Sequence, residues 1–567
     1  AIGHDAMKEN TSGGGNTAVG NMSMSSNTTG AANSAFGKEA LYSSTTGMRN
    51  TAIGYYVLRA LTTGSNNTAI GKDALMTNQT GDNNTSLGYR TLELSTAHNN
   101  TAVGYKALLK NTTGSGTAVG FQALDANTTG VGNSAFGFDA LGANTSGTNN
   151  HAFGNYALLN NTTGDGNVAM GISSLKSNTT GEFNISIGGQ SLEDNNGSFN
   201  VSIGTAALQK NTSGNHSIGI GHFALSKNTT ASSNIAIGSH ALENNTGTEN
   251  TALGYHALAS NTVANQNTAI GAYSLYSNVN GDNNIAIGHD ALRNNSSGNR
   301  NVALGYHALR SNTTAQYNTA TGDRALKDNT TGQYNTANGS SALEANQNGQ
   351  YNTATGSFAL SRNSSGSNNT ATGHDALREN SSGSENTAVG YDALRLNTTA
   401  SGNSAFGKSA LGATNTGSAN TGSGAHSLQA NVGGNYNTAH GYTSLYKNTS
   451  GNSNTSVGHS SLSENVTGSS NTAIGYGAGD AITTGSSNVY VGHGADASAG
   501  NVSNEIVIGS GVTGTGTNQI ALGNTSITHI KAQVNSITAY SDKRIKRDID
   551  DSKLGLDFIM KLRPVTY

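Results

Sequence analysis

The 567-residue chain has no cysteine, no tryptophan and a single proline. Without cysteine there is no disulfide framework, no thiolate metal site and no cysteine nucleophile. Charge is scarce: Asp, Glu, Lys and Arg make up 11% of the chain, against roughly a quarter in ordinary globular domains. The 29 basic and 32 acidic side chains leave a net charge of −3. That balance gives no field for a phosphate backbone, so nucleic acid is not an expected partner. No run of 18 apolar residues occurs, so no membrane insertion is expected. Length alone suggests three or four domains. Composition argues otherwise, because disordered chains of low hydrophobicity carry high charge and this one is nearly neutral. What is abundant is glycine, with 76 residues, together with Asn and Thr. This alphabet points to a repeat fold.

The repeat is direct. N-T-A-I-G occurs at Asn50–Gly54, Asn67–Gly71, Asn267–Gly271 and Asn471–Gly475, with close variants between. From Gly20 to Gly475 the final glycines are spaced by 17 residues, with four steps of 16. The consensus N-T-A-[IVLF]-G-x-x-A-L-x-x-N-T-T-G-x-x is numbered here from position one to seventeen. Helical solenoids have repeats above roughly 30 residues and are excluded. The period fits one coil of an all-β parallel β-solenoid, or β-roll: a short strand, a turn, a second short segment, a turn. T-A-I-G reads as the strand, with positions two and four on one face and Ala at position three on the other. Gly at position five and N-T-T-G at twelve to fifteen are turn chemistry.

Position nine is Leu in all 26 coils from Leu41 to Leu462. Leu41, Leu58, Leu75, Leu258, Leu309, Leu377 and Leu462 are therefore expected in one continuous internal ladder. Asn at position twelve is expected to form a second ladder through its amides. Such a coil is thin. Small residues at positions three and eight are expected to let chains approach, and a homotrimer is expected to cover the β-branched position four. Stacked at ~4.8 Å per strand, the coils make a rod of roughly 150 Å.

The Leu ladder stops at Gly479, and spacing shortens to 14 residues between Gly509 and Gly523. Residues 1–478 therefore read as the seventeen-residue shaft, 479–540 as distinct coils and a connector, and 541–567 as a third, charged module. The only proline, Pro564, lies in that last module, where no ladder N–H is lost.

The coils N-T-A-I-G and N-S-A-F-G, and more closely Asn504-Glu-Ile-Val-Ile-Gly509, resemble the head repeats of trimeric autotransporter adhesins and the Gly-rich coils of phage tail fibres. The shaft departs from the adhesins' 14-residue repeat. The segment Ser541-Asp-Lys-Arg-Ile-Lys546, with Leu554-Gly-Leu-Asp557 and Leu562-Arg-Pro-Val565, resembles the start of the endosialidase-type C-terminal intramolecular chaperone. That domain continues well beyond a point equivalent to Tyr567, so a truncated one is expected here. The resemblance implies trimerisation and self-release by a Ser/Lys dyad, Ser541 and Lys546, cutting between Ser541 and Asp542. A serine hydroxyl needs a nearby base, and a desolvated lysine serves.

Three further features stand out. Tyr317, Tyr334 and Tyr351 occupy position seventeen of successive coils, each after Gln. They read as a like-on-like stabilising stack or as an aromatic strip for surface glycans. Position four turns polar at Thr321, Asn338, Thr355 and Thr372, then at Ser423 and His440. The T-A-T pattern also matches the paired-Thr face of ice-binding solenoids, although Ile elsewhere at position four suits a buried face. The histidines fall mostly at positions six and seven, expected to face solvent and rarely in consecutive coils, so neither a metal nor another cofactor is expected. The expected function is a structural extracellular fibre attaching to host or substratum glycans or proteins. The alternatives are a polysaccharide depolymerase and an ice-binding solenoid.

Overall fold

A computed structural model describes residues 1–529 and residue 531. Among them the only regular elements are β-strands. Thirty-one strands run from β1 (Thr17–Val19) to β31 (Ile520–Leu522) in one parallel sheet. Each pairs with the strand of the next coil, like position on like. Thus β3 (Thr51–Ile53) meets β4 (Thr68–Ile70) as Thr51↔Thr68, Ala52↔Ala69 and Ile53↔Ile70. The 16-residue coils keep this register: β5 (Thr85–Leu87) pairs with β6 (Thr101–Val103) as Thr85↔Thr101. The deletion is absorbed in the turns, where the sequence shortens. The chain is a β-solenoid of about 17 residues per coil.

Each strand ends at the position-five glycine. Gly71 has φ +128°, and a Cβ there would sit 2.3 Å from the carbonyl oxygen of Gly88 in the next coil. Only glycine allows both the conformation and the approach.

Positions three and eight face the interior, with Ala52, Ala69 and Ala74 fully buried. Where these positions are Ser, they touch through the interior from one coil to the next: Ser174 Oγ at position eight donates to Ser186 Oγ at position three of the following coil at 2.7 Å, and Ser444 Oγ to Ser456 Oγ likewise at 2.7 Å. That distance sets the width of the core. It overturns the expectation that small residues at three and eight form an approach surface between chains. Positions two and four point outward, and Ile53 is 40% exposed. An interior this narrow accepts Ala against Ala, not Ile.

The Leu ladder is buried as expected, Leu41, Leu58, Leu75, Leu258, Leu309, Leu377 and Leu462 included. Its backbone is unusual. Every position-nine Leu from Leu41 to Leu462 is left-handed, with φ between 48° and 54°. For a non-Gly residue this costs about 1–2 kcal/mol. Burying the side chain contributes about 1.5–3 kcal/mol, and the N–H keeps a partner, Leu58 N donating to Ala74 O at 3.0 Å. The second wall is therefore a hydrogen-bonded succession of turns rather than a second strand.

Two Asn ladders seal the coil corners. At position twelve, Asn144 Nδ2 donates to Asn127 Oδ1 at 2.8 Å, and Asn161 Nδ2 to Asn144 Oδ1 at 2.9 Å. At position one, Asn67 N donates to Asn50 Oδ1 at 2.9 Å, while Asn67 Nδ2 bonds Gly81 O at 2.8 Å. The position-one amide thus ties its coil shut through Nδ2 and holds the coil after it through Oδ1.

At Gly479 the Leu ladder is replaced, and the sheet continues without a break. Strand β29 (Val489–Val491) pairs with β28 (Thr472–Ile474) and β30 (Ile506–Ile508). Tyr490 takes position three in place of Ala and is fully buried. A Cβ on Gly479 would lie 2.6 Å from Tyr490 Cδ2. The tyrosine ring fills the space that the missing leucine leaves.

Candidate functional site

The outward face of the sheet carries a column of exposed apolar side chains. Position four presents Phe36 (41% exposed), Leu87 (45%), Leu253 (44%) and Ile474 (45%) in one column. Position two adds Ile185, Ile235 and Ile285, all exposed. Apolar patches beyond a few hundred Å² are rare on free surfaces and mark contacts. The stripe turns polar at Thr321, Asn338, Thr355 and Thr372, whose strands β19 to β22 (Thr319–Thr321, Thr336–Asn338, Thr353–Thr355 and Thr370–Thr372) also carry an outward Thr at position two. The paired-Thr face is thus outward, and it spans four coils with Asn338 interrupting it.

The three tyrosines do stack. Tyr317 and Tyr334 lie 4.9 Å apart at 4°, and Tyr334 and Tyr351 lie 5.0 Å apart at 2°. The Arg300 guanidinium sits 5.4 Å from the Tyr317 ring. The inner ring faces are therefore occupied by one another, and the stack offers edges and hydroxyl groups outward. Phe183, Phe199 and His216 stack in the same position-seventeen column at 5.4 and 5.1 Å. Tyr89, Tyr105, Phe121 and Phe138 do so at position six, at 5.5, 5.0 and 4.9 Å. Stacking serves the solenoid in rings with and without a hydroxyl.

Positions six and seven differ, which corrects the expectation that both face solvent. Position six is exposed, as in Tyr55 and Tyr476, whereas position seven tucks against the coil, as in Asp290 and Asp375. Histidines also meet across consecutive coils. His240 and His256 stack at 4.7 Å and 7°, and His240 Nδ1 lies 2.9 Å from Glu243 Oε2. Burial, then the neighbouring His240, holds His256 below the usual imidazole range. Two coils beyond His256, Asp290 is nearly buried beside His289, Arg293, His307 and Arg310. Burial, then Arg310, lowers the pKa of His307. The sequence carried a signal for this cluster: Asp290 and His307 are 17 residues apart, at the same position of adjacent coils.

A second polar cluster lies where the ladder changes. Glu505 is fully buried and accepts from Gly516 N at 2.8 Å and from the Tyr490 hydroxyl at 3.3 Å. Burial raises the Tyr490 pKa, and the Glu505 charge raises it further. Burial, then a shared hydrogen bond with Asp496, pushes Asp480 up to about 6. Asp496 Oδ1 itself accepts from Ala481 N and Ala497 N. These groups are tied to backbone and to each other, and they hold the last coils closed.

The hollows among the described residues are open and shallow. One of about 290 Å³ is lined by Asp328, Glu344, Phe358, Ser361, Arg362 and Arg378. Its two carboxylates both approach Lys327, at 3.8 and 3.5 Å. Ser541, Asp542 and Lys546, the expected autocleavage site, lie outside the described residues. No described helix is long and apolar enough to cross a membrane. No protein-family model matches the chain, and no curated protein is similar to it.

Proposed function

We propose that the chain is the shaft of an extracellular fibre that mediates attachment to a surface, assembled as a homotrimer. The observation that carries the reading is the outward apolar column at position four on an unbranched stack of 31 paired strands. A rod that exposes such a column on both sides of its polar stretch is complete only when another chain covers it. Copies of this chain share the same repeat and rise, so they match rung for rung. Three chains around one axis bring the three sheets together and leave positions six and seventeen outward. Length, stiffness and many identical weak contacts then give avidity for a repetitive target. The target class is a surface glycan or protein, met by the Gln/Tyr edge of Tyr317, Tyr334 and Tyr351. The fibre belongs to a virion tail or a cell surface. The module from Ser541 onward is proposed to act as a self-releasing trimerisation chaperone.

The test is adhesion of the purified, labelled fibre to immobilised surface polysaccharide, with the soluble products analysed in parallel. The reading expects retention without release of oligosaccharide. Tyr334→Phe, which keeps the stack and removes one hydroxyl, should weaken retention on a glycan that uses this edge. Steady release of oligosaccharide would replace the fibre reading with a depolymerase. For the chaperone, Ser541→Ala in the full-length protein should leave the uncut mass; an unchanged product would remove the dyad.

A further inference from the structure

We infer that His289, Asp290 and His307 form a binding site for one divalent transition-metal ion of the zinc class. One ligand atom from each of the three lies within 4.8 Å of the others. Asp290 Oδ2 is 3.3 Å from His307 Nε2 and 3.6 Å from His289 Nδ1. Metal bonds of about 2.0–2.1 Å at tetrahedral angles place ligand atoms about 3.3 Å apart. Two of the three separations therefore approach the edge of a zinc tetrahedron, and the third, between the two imidazoles, lies within 4.8 Å, with water to supply the fourth ligand.

The architecture explains the convergence. Position seven stacks on position seven, so Asp290 meets His307 across one coil step, and His289 reaches the same oxygen from position six. The Asp290 side chain is 5% exposed and that of His307 is 17% exposed. Two imidazoles and one carboxylate suit Zn²⁺, Co²⁺ or Ni²⁺, whereas Ca²⁺ and Mg²⁺ take oxygen ligands. The histidines of the preceding coils are a useful contrast. His240 and His256 stack face to face, so their ring nitrogens run side by side instead of meeting at a point.

Two arginines share the cluster and have opposite roles. Arg293 Nη1 donates to Asp290 Oδ1 at 3.3 Å and approaches Oδ2 at 3.4 Å. With an ion on Oδ2, Arg293 retains Oδ1 and orients the carboxylate, as outer partners of metal ligands do. Arg310 Nε lies 3.7 Å from Oδ2 and is buried with no hydrogen-bond partner. Its charge opposes the ion, so removing it should tighten binding.

The test uses the full chain, stripped with chelator and titrated with Co²⁺, read by visible absorption and by metal content after dialysis. The expected result is one tightly held Co²⁺ per chain with the intense bands of tetrahedral geometry, displaced by Zn²⁺. His289→Ala, at a half-exposed position that the fold tolerates, and His307→Gln should each weaken binding at least about tenfold. His240→Ala should leave it unchanged, and Arg310→Gln should strengthen it. Absence of saturable binding overturns the site. So does an ion held equally well by His289→Ala and His307→Gln. An affinity that fails to rise in Arg310→Gln overturns the placement of the ion at Oδ2.

Discussion

At the scale of the residue, the left-handed leucine is the unusual element of this fold. A side chain that belongs in an extended or helical backbone is held at φ near +50° in 26 successive coils. Burial on the neighbouring Leu offsets the strain, which leads to a reversal of a common order. Leu258→Ala removes the buried side chain and keeps the strain, and should destabilise its coils by about 2–5 kcal/mol. Leu258→Gly removes both, and should be no worse than Ala, whereas Gly normally costs about 0.5–1 kcal/mol more than Ala within regular elements. Native-state hydrogen exchange of the flanking amides reads this locally. A glycine variant clearly less protected than the alanine variant would contradict the strain. The position-one amides make a second prediction. Asn301 donates to Ala315 O and accepts from Asn318 N, at 2.8 and 3.0 Å. Asn301→Ala leaves Asn318 N buried and unpaired, at about 1–3 kcal/mol, while Ala315 O keeps Asn312 Nδ2 at 3.1 Å, so exchange should quicken at Asn318 first.

At the scale of the element, the coils after Gly475 are a variant of the same unit, with the large residue moved from position nine to position three. Gly479→Leu should be disruptive, since even a Cβ there meets Tyr490 at 2.6 Å. Tyr490→Ala should be disruptive through the cavity it leaves. Together they rebuild the shaft pattern, so the double variant should be more stable than additivity predicts. The same coils carry a pH dependence. Asp480 titrates at about 6 in the folded chain, above the unfolded value near 3.9. The folded state therefore binds this proton more tightly. The resulting stability is fully present below about pH 4 and is lost as pH rises through about 6. Protection of the Asp480 and Asp496 amides should fall across that range, and Asp480→Asn should abolish the fall.

At the scale of the whole molecule, the coil, its period, the Leu and Asn ladders and the Tyr stack were legible in the sequence. Stacking identical units buries identical residues, and periodicity records that directly. The inward face of the strand was not legible. Hydrophobicity ranks Ile above Ala for burial, but the coil is only wide enough for Ala, and width follows from the path of the second wall. The His289, Asp290 and His307 cluster was obscured for a related reason. Each residue is ordinary at its own position, and only the one-coil offset and the inward turn of position seven bring the three together. Because Ile lies outside the coil and not within it, the rod has an uncovered apolar side. The proposed trimer covers it with two further chains. Mass photometry and sedimentation of the purified chain test this most directly. The trimer requires a particle of three times the 57.4 kDa chain. It also predicts that Ile53→Asp, Leu253→Asp and Ile474→Asp in combination release single chains with unchanged β-sheet circular dichroism. A stable, soluble particle of one chain mass from the unaltered sequence would contradict it.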